Sequence, residues 1–242
     1  MKLRLNKFLA QCGLGSRRKA EEYITSRRIS VNGALVRNIA TFVDPETDRI
    51  TVDNKLIRPP DRFLYLILNK PKGLITTASD THGRPTVMEI IPEKYRRKGV
   101  FPVGRLDKDT EGLLLFTNDG ELAHRLNLPR FHVPKEYFVE LDRPLEDEHA
   151  REIEEGLYIH QLKLKTRSAS LRMIDEFRKQ IRITITEGKK RQIRYTFKNL
   201  GYKVVKLRRI GYGPLTLARL HKGSLRTLTD VEIARLKKLV GQ

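Results

Sequence analysis

The sequence predicts an α+β protein in two parts: a small N-terminal domain of two helices and a hairpin, then a larger domain with a mostly antiparallel sheet. Most strand-like segments follow one another without an intervening helix, which favours antiparallel pairing. The Asn32-Gly33 dipeptide separates two short apolar runs, as in a hairpin. The segment "RPPDR" at residues 58–62 contains two prolines that continue neither a helix nor a central strand, so it predicts a boundary between domains at residues 1–58 and 63–242.

The elements of the N-terminal domain are predicted from helical spacing and turn residues. The apolar residues of "LNKFLAQCG" recur at helical spacing, and a glycine ends the pattern. Ser16 is a suitable N-cap for a second helix. The stretch "ISVNGALV" is typical of a strand, a turn and a strand, and "DPETDRITVDNKLI" predicts a further turn and strand.

The larger domain alternates short strands with a few helices. Apolar or alternating runs predict strands in "FLYLILNK", "GLITT", "GLLLFTND", "EYFVEL", "SASLRMI" and "QIRITITEG". Helical spacing predicts helices in "ELAHRLN", "EDEHAREIEEGL" and "KKRQIRYTFKNLG". A last helix is expected to open with a capping box formed by Thr229 and Glu232.

The chain carries a large positive charge that is unevenly distributed. The formal net charge is +20 and the isoelectric point is about 10.2, an excess that attracts polyanions. Residues 188–229 hold twelve Lys and Arg side chains and no Asp or Glu, and residues 1–58 hold twelve basic against six acidic side chains. Two basic regions predict a nucleic acid bound at two places; simple solvated faces would not require so long a stretch without acids.

Several protein classes are disfavoured. The longest run of aliphatic and aromatic residues is "FLYLIL" at 63–68, which is too short for a signal peptide core or a membrane span. Cys12 is the only cysteine, so neither an intrachain disulfide nor a cysteine-rich zinc site can form. The chain lacks the glycine motifs that cradle phosphates in nucleotide-binding folds. We therefore expect a soluble, cytoplasmic protein.

The second predicted helix begins with three cations, Arg17, Arg18 and Lys19. Positive side chains are unfavourable at the N-terminus of a helix, because the helix dipole is positive there. A phosphate bound at that end would reverse the penalty. The three residues are therefore predicted to contact RNA phosphates.

The stretch "VGRLDKDTEGLLLFTNDG" at 103–120 places one acid, Asp107, in a turn that leads into a strongly apolar strand. A carboxylate held there needs a cation, or it takes up a proton. On the predicted helix, Arg191, Arg194 and Lys198 share one face at i, i+3 and i+7, and Arg194 flanks the apolar face. From the residues alone, a capping role is the commoner one for an Asp in a turn.

Motifs along the whole chain resemble those of known RNA-binding families. "GLGSRRKAEEYI" and "ISVNG" are similar to the S4 RNA-binding module, over about residues 2 to 57. The segments "LNKPKGLITT", "VGRLDKDTEGLLLFTNDGEL", "PKEYFVEL", "TEGKKRQIR" and "GYKVVKLRRIGYGPL" follow the order found in RsuA/RluB-type ribosomal RNA pseudouridine synthases, which also carry an S4 module. The resemblance implies an S4-like RNA-binding domain at 1–58 and a catalytic domain at 63–242.

The resemblance also implies roles for individual residues. Asp107 matches the catalytic nucleophile, Tyr137 matches the Tyr that lies against the target base, and Arg194 matches the Arg that pairs with the Asp. Further residues expected to bind the substrate are Arg105, Lys190, Arg191 and Leu207. The family usually continues R-Q-I-R with Arg-Met, whereas Tyr195 and Thr196 follow here, so contacts that select the RNA target are expected to differ.

The implied reaction breaks the bond from the ribose to N1 of uracil, turns the base and joins it through C5. It consumes no water, phosphate or redox equivalent, so we expect no metal, nicotinamide or ATP. A single carboxylate suits a reaction without hydrolysis, and Asp107 either attacks the anomeric carbon or removes a ribose proton to form a glycal. Arg194 is expected to keep Asp107 ionised, and Tyr137 to assist loss of the C5 proton.

The expected partner is ribosomal RNA or a ribosomal assembly intermediate, bound by a monomer. The S4 motif "GLGSRR" at 13–18 resembles that of the large-subunit members of the family, which favours a uridine in 23S RNA over one in 16S RNA. One alternative is a non-catalytic rRNA-binding assembly factor, which would leave Asp107 unexplained. Another is a metal-dependent nuclease using Asp107 and Asp109, which is disfavoured because D-x-D on a strand points two carboxylates to opposite faces.

Overall fold

The computed structural model describes residues 2–60, 62–78, 80 and 82–242, and it confirms the predicted α+β class. In these residues the helices are α1 (Leu5–Gln11), α2 (Arg17–Thr25), α3 (Glu93–Arg96), α4 (Gly120–Asn127), α5 (Asp147–Glu155), α6 (Gln192–Asn199) and α7 (Asp230–Leu239). Single 3-10 turns cover Val87–Glu89, Pro129–Phe131 and His160–Leu162. Within the described ranges, no helix has both the length and the apolar character needed to span a bilayer.

The strands are short near the N-terminus and longer in the rest of the chain. The first eight are β1 (Leu3–Arg4), β2 (Ile29–Val31), β3 (Ala34–Leu35), β4 (Phe42–Val43), β5 (Ile50–Val52), β6 (Lys55–Leu56), β7 (Tyr65–Lys70) and β8 (Phe101–Pro102). The others are β9 (Glu111–Thr117), β10 (Lys135–Leu141), β11 (Tyr158–Ile159), β12 (Leu164–Lys165), β13 (Ser170–Met173), β14 (Gln180–Ile185), β15 (Val204–Tyr212), β16 (Leu215–Thr216) and β17 (Leu225–Thr227).

The chain divides into two compact units. One comprises Met1–Tyr65, Ile91–Phe101 and Phe116–Gly120, and the other comprises Leu66–Ile90, Pro102–Leu115 and Glu121–Gln242. The domain limits taken from the sequence, 1–58 and 63–242, stay a prediction. Asp61, in the segment between those limits, lies outside the described residues.

Local signals account for the first unit. The Ser16 hydroxyl accepts a hydrogen bond from the Lys19 backbone amide at 3.2 Å, which confirms the predicted N-cap of α2. Asn32 and Gly33 both have positive φ, 53° and 83°, as a tight hairpin turn between β2 and β3 requires. The four-stranded sheet has the order β3-β2-β5-β6. The buried core consists of Leu5, Phe8, Leu9, Ala20, Ile24, Ile29, Val43, Ile50 and Val52.

The second unit is organised by a large sheet with the strand order β13-β14-β10-β15-β9-β7-β17. β15 is antiparallel to β10 and parallel to β9, so it joins two parts of the sheet that are distant in sequence. Every residue of β7 and β9 is buried, which explains their unbroken apolar runs. Helix α6 packs against β15 and β11.

Three predictions about secondary structure were wrong. "GLITT" is not a strand: Ile75 forms a single bridge to Thr86, and its amide donates to the carbonyl of Pro85, in a loop. β15 was missed, because its cations interrupt the apolar pattern. Helix α6 begins at Gln192, and Arg191 precedes it in a left-handed conformation with φ 54°, so Arg191 does not share a helical face with Arg194.

Candidate active site

Asp107 lies in a tight turn immediately before β9. Its carbonyl accepts a hydrogen bond from the Thr110 amide at 3.0 Å, and its side chain is half-buried on the wall of a cavity. Gly104, three residues earlier, has φ +70°, and a Cβ there would lie 3.1 Å from Oδ1 of Asn127. A glycine therefore suits the backbone that leads into the Asp107 turn.

Lys70 holds this turn in place. It is the last residue of β7, and its side chain is fully buried. Its Nζ donates to the carbonyls of Pro71 and Thr110 at 3.0 Å and of Asp107 at 3.3 Å. Burial lowers the pKa of Lys70 to about 8, against the opposing charges of nearby acids. The sequence reasoning missed this residue; the available signal was a lysine two positions after the apolar run "FLYLIL".

Gly112 shows why the motif needs a glycine after Thr110. It pairs with Arg209 where β9 and β15 run parallel, and a Cβ at Gly112 would lie 2.1 Å from the Arg209 carbonyl oxygen. Its φ of +106° is also unfavourable for other residues. The close approach of these strands brings Arg209 beside the Asp107 turn.

Tyr137 and Leu207 come from the two neighbouring strands β10 and β15. Tyr137 is 8 % exposed and is paired with Arg209 across the ladder, and Leu207 is 4 % exposed. Both line the same cavity as Asp107. The structure therefore brings together the predicted nucleophile and the two residues that were predicted to lie beside the target base.

The predicted direct pair between Arg194 and Asp107 is not formed in the described part of the chain. Arg194 instead donates from its two Nη atoms to the carbonyls of Val204 and Asp109, each at 3.2 Å, and its buried Nε has no partner there. Burial lowers the pKa of Arg194, the charge of Arg191 lowers it further, and Asp109 and Asp107 act in the opposite sense. Arg194 thus contacts the backbone of the turn that follows Asp107.

Other predicted cations lie at the mouth of the cavity. Arg105 and Lys190 are exposed and line it, and Arg191 lines it while its guanidinium lies 4.0 Å from Oδ2 of Asp109. The loop before α6 is braced by Glu187, which accepts hydrogen bonds from the Gln192 side chain at 2.7 Å and from the Arg167 amide at 2.9 Å. The braced loop therefore carries Lys190 and Arg191 to the cavity, while Arg105 comes from the segment before β9.

The cavity has a volume of about 240 Å³. Its lining residues are Gly104, Arg105, Leu106, Asp107, Thr110, Asn127, Lys135, Tyr137, Ile185, Gly188, Lys189, Lys190, Arg191, Gln192, Ile193, Leu207, Arg209 and Tyr212. Lys135 and Arg209 were not identified from the sequence as site residues. Across the described ranges, no three His, Cys, Asp or Glu side chains are grouped so that they could hold a metal ion.

The predicted RNA contacts Arg17, Arg18 and Lys19 lie in the first unit. All three side chains are exposed in the first turn of α2, and Lys19 also forms an ion pair with Glu22 at 2.5 Å. Exposed cations at a helix N-terminus are suitable for phosphates. Their role stays a prediction.

Comparison with known proteins identifies the family. Residues 64–199 match the RNA pseudouridylate synthase family, and residues 3–50 match the S4 domain. The chain belongs to the RNA pseudouridylate synthase family. A protein of Aquifex aeolicus named as an uncharacterized RNA pseudouridine synthase is 39% identical over 242 residues, which cover 100% of this chain and 96% of the relative.

Two further relatives agree with this membership. The ribosomal large subunit pseudouridine synthase B of Bacillus subtilis is 38% identical over 238 residues, covering 98% of this chain and 96% of its own. A crystal structure of a pseudouridylate synthase superposes with a TM-score of 0.71 at 33% identity, covering 97% of this chain and 99% of the other. The chain is thus a pseudouridine synthase with an S4 domain, and RNA is its partner, as the sequence predicted.

Proposed function

We propose that this enzyme converts a specific uridine of ribosomal RNA to pseudouridine, with Asp107 as the nucleophile and the target in the 23S RNA of the large subunit. The observation that carries the proposal is the charge of the cavity: among its lining residues, Asp107 is the only acid beside six Lys and Arg side chains. The Bacillus subtilis relative named for the large subunit supports 23S RNA as the target.

The side chains around Asp107 suit a reaction on an extruded base. The base must leave its stack to reach a carboxylate on the wall of a cavity. Tyr137 and Leu207 offer an aromatic and an aliphatic surface for it, both almost fully buried. The cations at the rim, Arg105 and Lys190, are suitably exposed for the phosphates on either side of the target.

In the proposed reaction, the Asp107 carboxylate either attacks the anomeric carbon or removes a ribose proton while the bond to N1 of uracil breaks. The base turns inside the cavity and C5 forms the new bond to the anomeric carbon. Asp107 is then released unchanged. Arg194 and Lys70 hold the turn that carries Asp107 through hydrogen bonds to its backbone, which supports a fixed position for the carboxylate.

The S4 domain and the cavity belong to the same chain, so a monomer is sufficient for the proposed activity. Ribosomal RNA, the proposed substrate, is in the cytoplasm, so we place the enzyme there. Exposed Arg17 and Arg18 add a second place of contact with the RNA. These contacts raise affinity without reading the sequence of the target.

The test is to incubate the purified protein with cognate 23S and 16S transcripts separately and to map pseudouridines by sequencing. We expect one modified position, in the 23S transcript, that disappears with Asp107→Asn. The matched control is Asp109→Asn, two residues away with a 65% exposed side chain, which should retain most of the activity. Modification of 16S RNA alone would contradict the assigned target, and binding without any modification would favour an assembly factor.

A further inference from the structure

In the part of the chain that the structure describes, Arg209 is a buried cation without an acidic partner. It is 2% exposed on β15, its Nε donates to the Leu113 carbonyl at 2.7 Å, and within the described residues its buried Nη2 has no hydrogen-bond partner. Buried polar groups in folded proteins are nearly always paired, so an unpaired guanidinium nitrogen indicates a partner that arrives with a ligand. Arg209 lines the cavity, so that ligand is the one the cavity binds.

A second cation, Lys135 on the adjacent strand β10, lines the same cavity. Its Nζ donates to the Val133 carbonyl at 2.8 Å, which leaves two further N–H groups of an ammonium for other acceptors. Lys135 and Arg209 lie over the same aromatic ring, with Nζ 5.8 Å and the guanidinium carbon 5.0 Å from the centre of Tyr212. Burial, and then the charge of Arg209, lower the pKa of Lys135 to about 8.

The two cations therefore form a positively charged floor, defined as Lys135 and Arg209 over Tyr212. In the described part of the chain neither forms an ion pair with an acid. A buried charge next to a partly buried charge of the same sign is costly unless a negative charge joins them. The floor is suited to a ligand that is planar, and negative at some stage of the reaction.

We propose that Lys135 and Arg209 bind the carbonyl oxygens of the detached uracil and stabilise its negative charge. The inference rests on the proposed function. When the bond between N1 and the anomeric carbon breaks, the electron pair stays on the base and spreads over N1 and the two carbonyl oxygens. When C5 bonds to the anomeric carbon, the charge of the base is neutralised and Asp107 is again a free carboxylate. C5 then loses its proton and N1 gains one, which leaves the net charge unchanged. Donors aimed at a charge that exists only during the reaction accelerate it.

The alternative ligand, a phosphate of the RNA backbone, is less well matched to this floor. Phosphates on the outside of an RNA strand are met by exposed cations, and Lys189 and Lys190 at the rim are exposed. Arg209 instead lies with Tyr137, both of them almost fully buried, and Lys135 on the adjacent strand is partly buried. The floor is thus on the side where the base is expected.

The experiment compares Lys135→Met with the parent on a short RNA that carries the mapped target as uridine or as 5-fluorouridine. Fluorine at C5 withdraws electrons and stabilises the uracil anion by itself. Under saturating enzyme, we expect consumption of uridine to slow by about 10²-fold, the usual effect of removing one such donor, and consumption of 5-fluorouridine to slow several-fold less. Lys135→Arg, which keeps the charge, should restore most of the rate.

Controls separate the possible outcomes. Lys206→Met removes an exposed lysine of β15 outside the cavity and should leave both rates near the parent values. If Lys135→Met does not fold, Arg209→Lys gives the same comparison, because it keeps a buried charge but loses Nη2. Equal losses on both substrates, or weaker RNA binding with an unchanged saturated rate, would overturn the inference. A parent enzyme that modifies no uridine would instead refute the proposed function.

Discussion

Cations of two kinds occur in the two units of this protein. Arg17, Arg18 and Lys19 at the start of α2 are exposed to solvent. Lys70 and Arg209 in the second unit are buried, and each donates to backbone carbonyls of the β9 region. Exposed cations attract RNA at long range and contact its phosphates. Buried cations instead stabilise a turn or bind a charged ligand in the cavity. Our proposals therefore assign cations to RNA affinity in one unit and to the reaction in the other.

The largest effect is expected at Asp107, the one acid among the residues that line the cavity. Asp107→Asn keeps the shape of the side chain and removes the nucleophile, so isomerisation should fall by at least about 10⁴-fold, as for other catalytic nucleophiles. RNA affinity should be unchanged, because the exposed cations are intact. Single-turnover rates and filter binding measure the two quantities. A variant that keeps a tenth of the parent rate would rule out Asp107 as the nucleophile.

The next effect concerns Arg194, which binds the turn of Asp107 without contacting its carboxylate. Arg194→Ala removes a nearby positive charge and two hydrogen bonds to backbone carbonyls, and it should slow isomerisation by about 10²-fold. The control Lys198→Ala removes an exposed cation of the same helix and should change the rate little. If Arg194→Ala stays within threefold of the parent, another cation serves Asp107, and Arg191 is the next candidate.

The exposed cations of α2 should affect binding and leave the chemical step intact. Replacing Arg17, Arg18 and Lys19 by Gln, singly and together, should weaken RNA binding and make the slope of log affinity against log salt shallower. The expected change is roughly 0.7 to 0.9 per phosphate contact removed. Lys238→Gln on α7 removes one exposed charge as a control. Unchanged slopes for the triple variant would mean that this helix touches no phosphate.

The smallest effect is a dependence of stability on pH that comes from Lys70. Its pKa is about 8 in the folded protein, below the ordinary value of about 10.4, so the unfolded chain binds the proton more tightly. Between these values the unfolded state carries more protons, and the free energy of unfolding therefore rises with pH. Relative to Lys70→Met, the parent should gain about 1 kcal/mol per pH unit from pH 8 to 10.

Urea unfolding of the two proteins at pH 8, 9 and 10 measures this difference. Lys135 also has a lowered pKa, but it is present in both proteins and its contribution cancels. Lys72→Met, which replaces an exposed lysine two residues away, should show no such slope. A constant difference between the parent and Lys70→Met across this range would show that Lys70 does not titrate there.

Sequence reasoning located the elements whose signals are local. The Ser16 cap, the Asn32-Gly33 turn and the capping box of Thr229 and Glu232 are all formed as predicted. Each depends on contacts between residues at most four positions apart, so the neighbouring residues are sufficient to specify it. The buried strands β7 and β9 were recognisable because their apolar runs are unbroken.

By itself the sequence determined these local elements, the excess of positive charge and the motif around Asp107. Only the tertiary structure determined which strands pair and which residues distant in sequence contact one another. β15 is a strand because β9 and β10 pair with both its edges, although its own cations obscure the pattern. Arg209 meets Leu113 across 96 positions, and Lys70 meets Asp107 across 37. Such contacts form only when the whole sheet assembles, because their energy depends on burial and geometry that no short stretch of sequence contains.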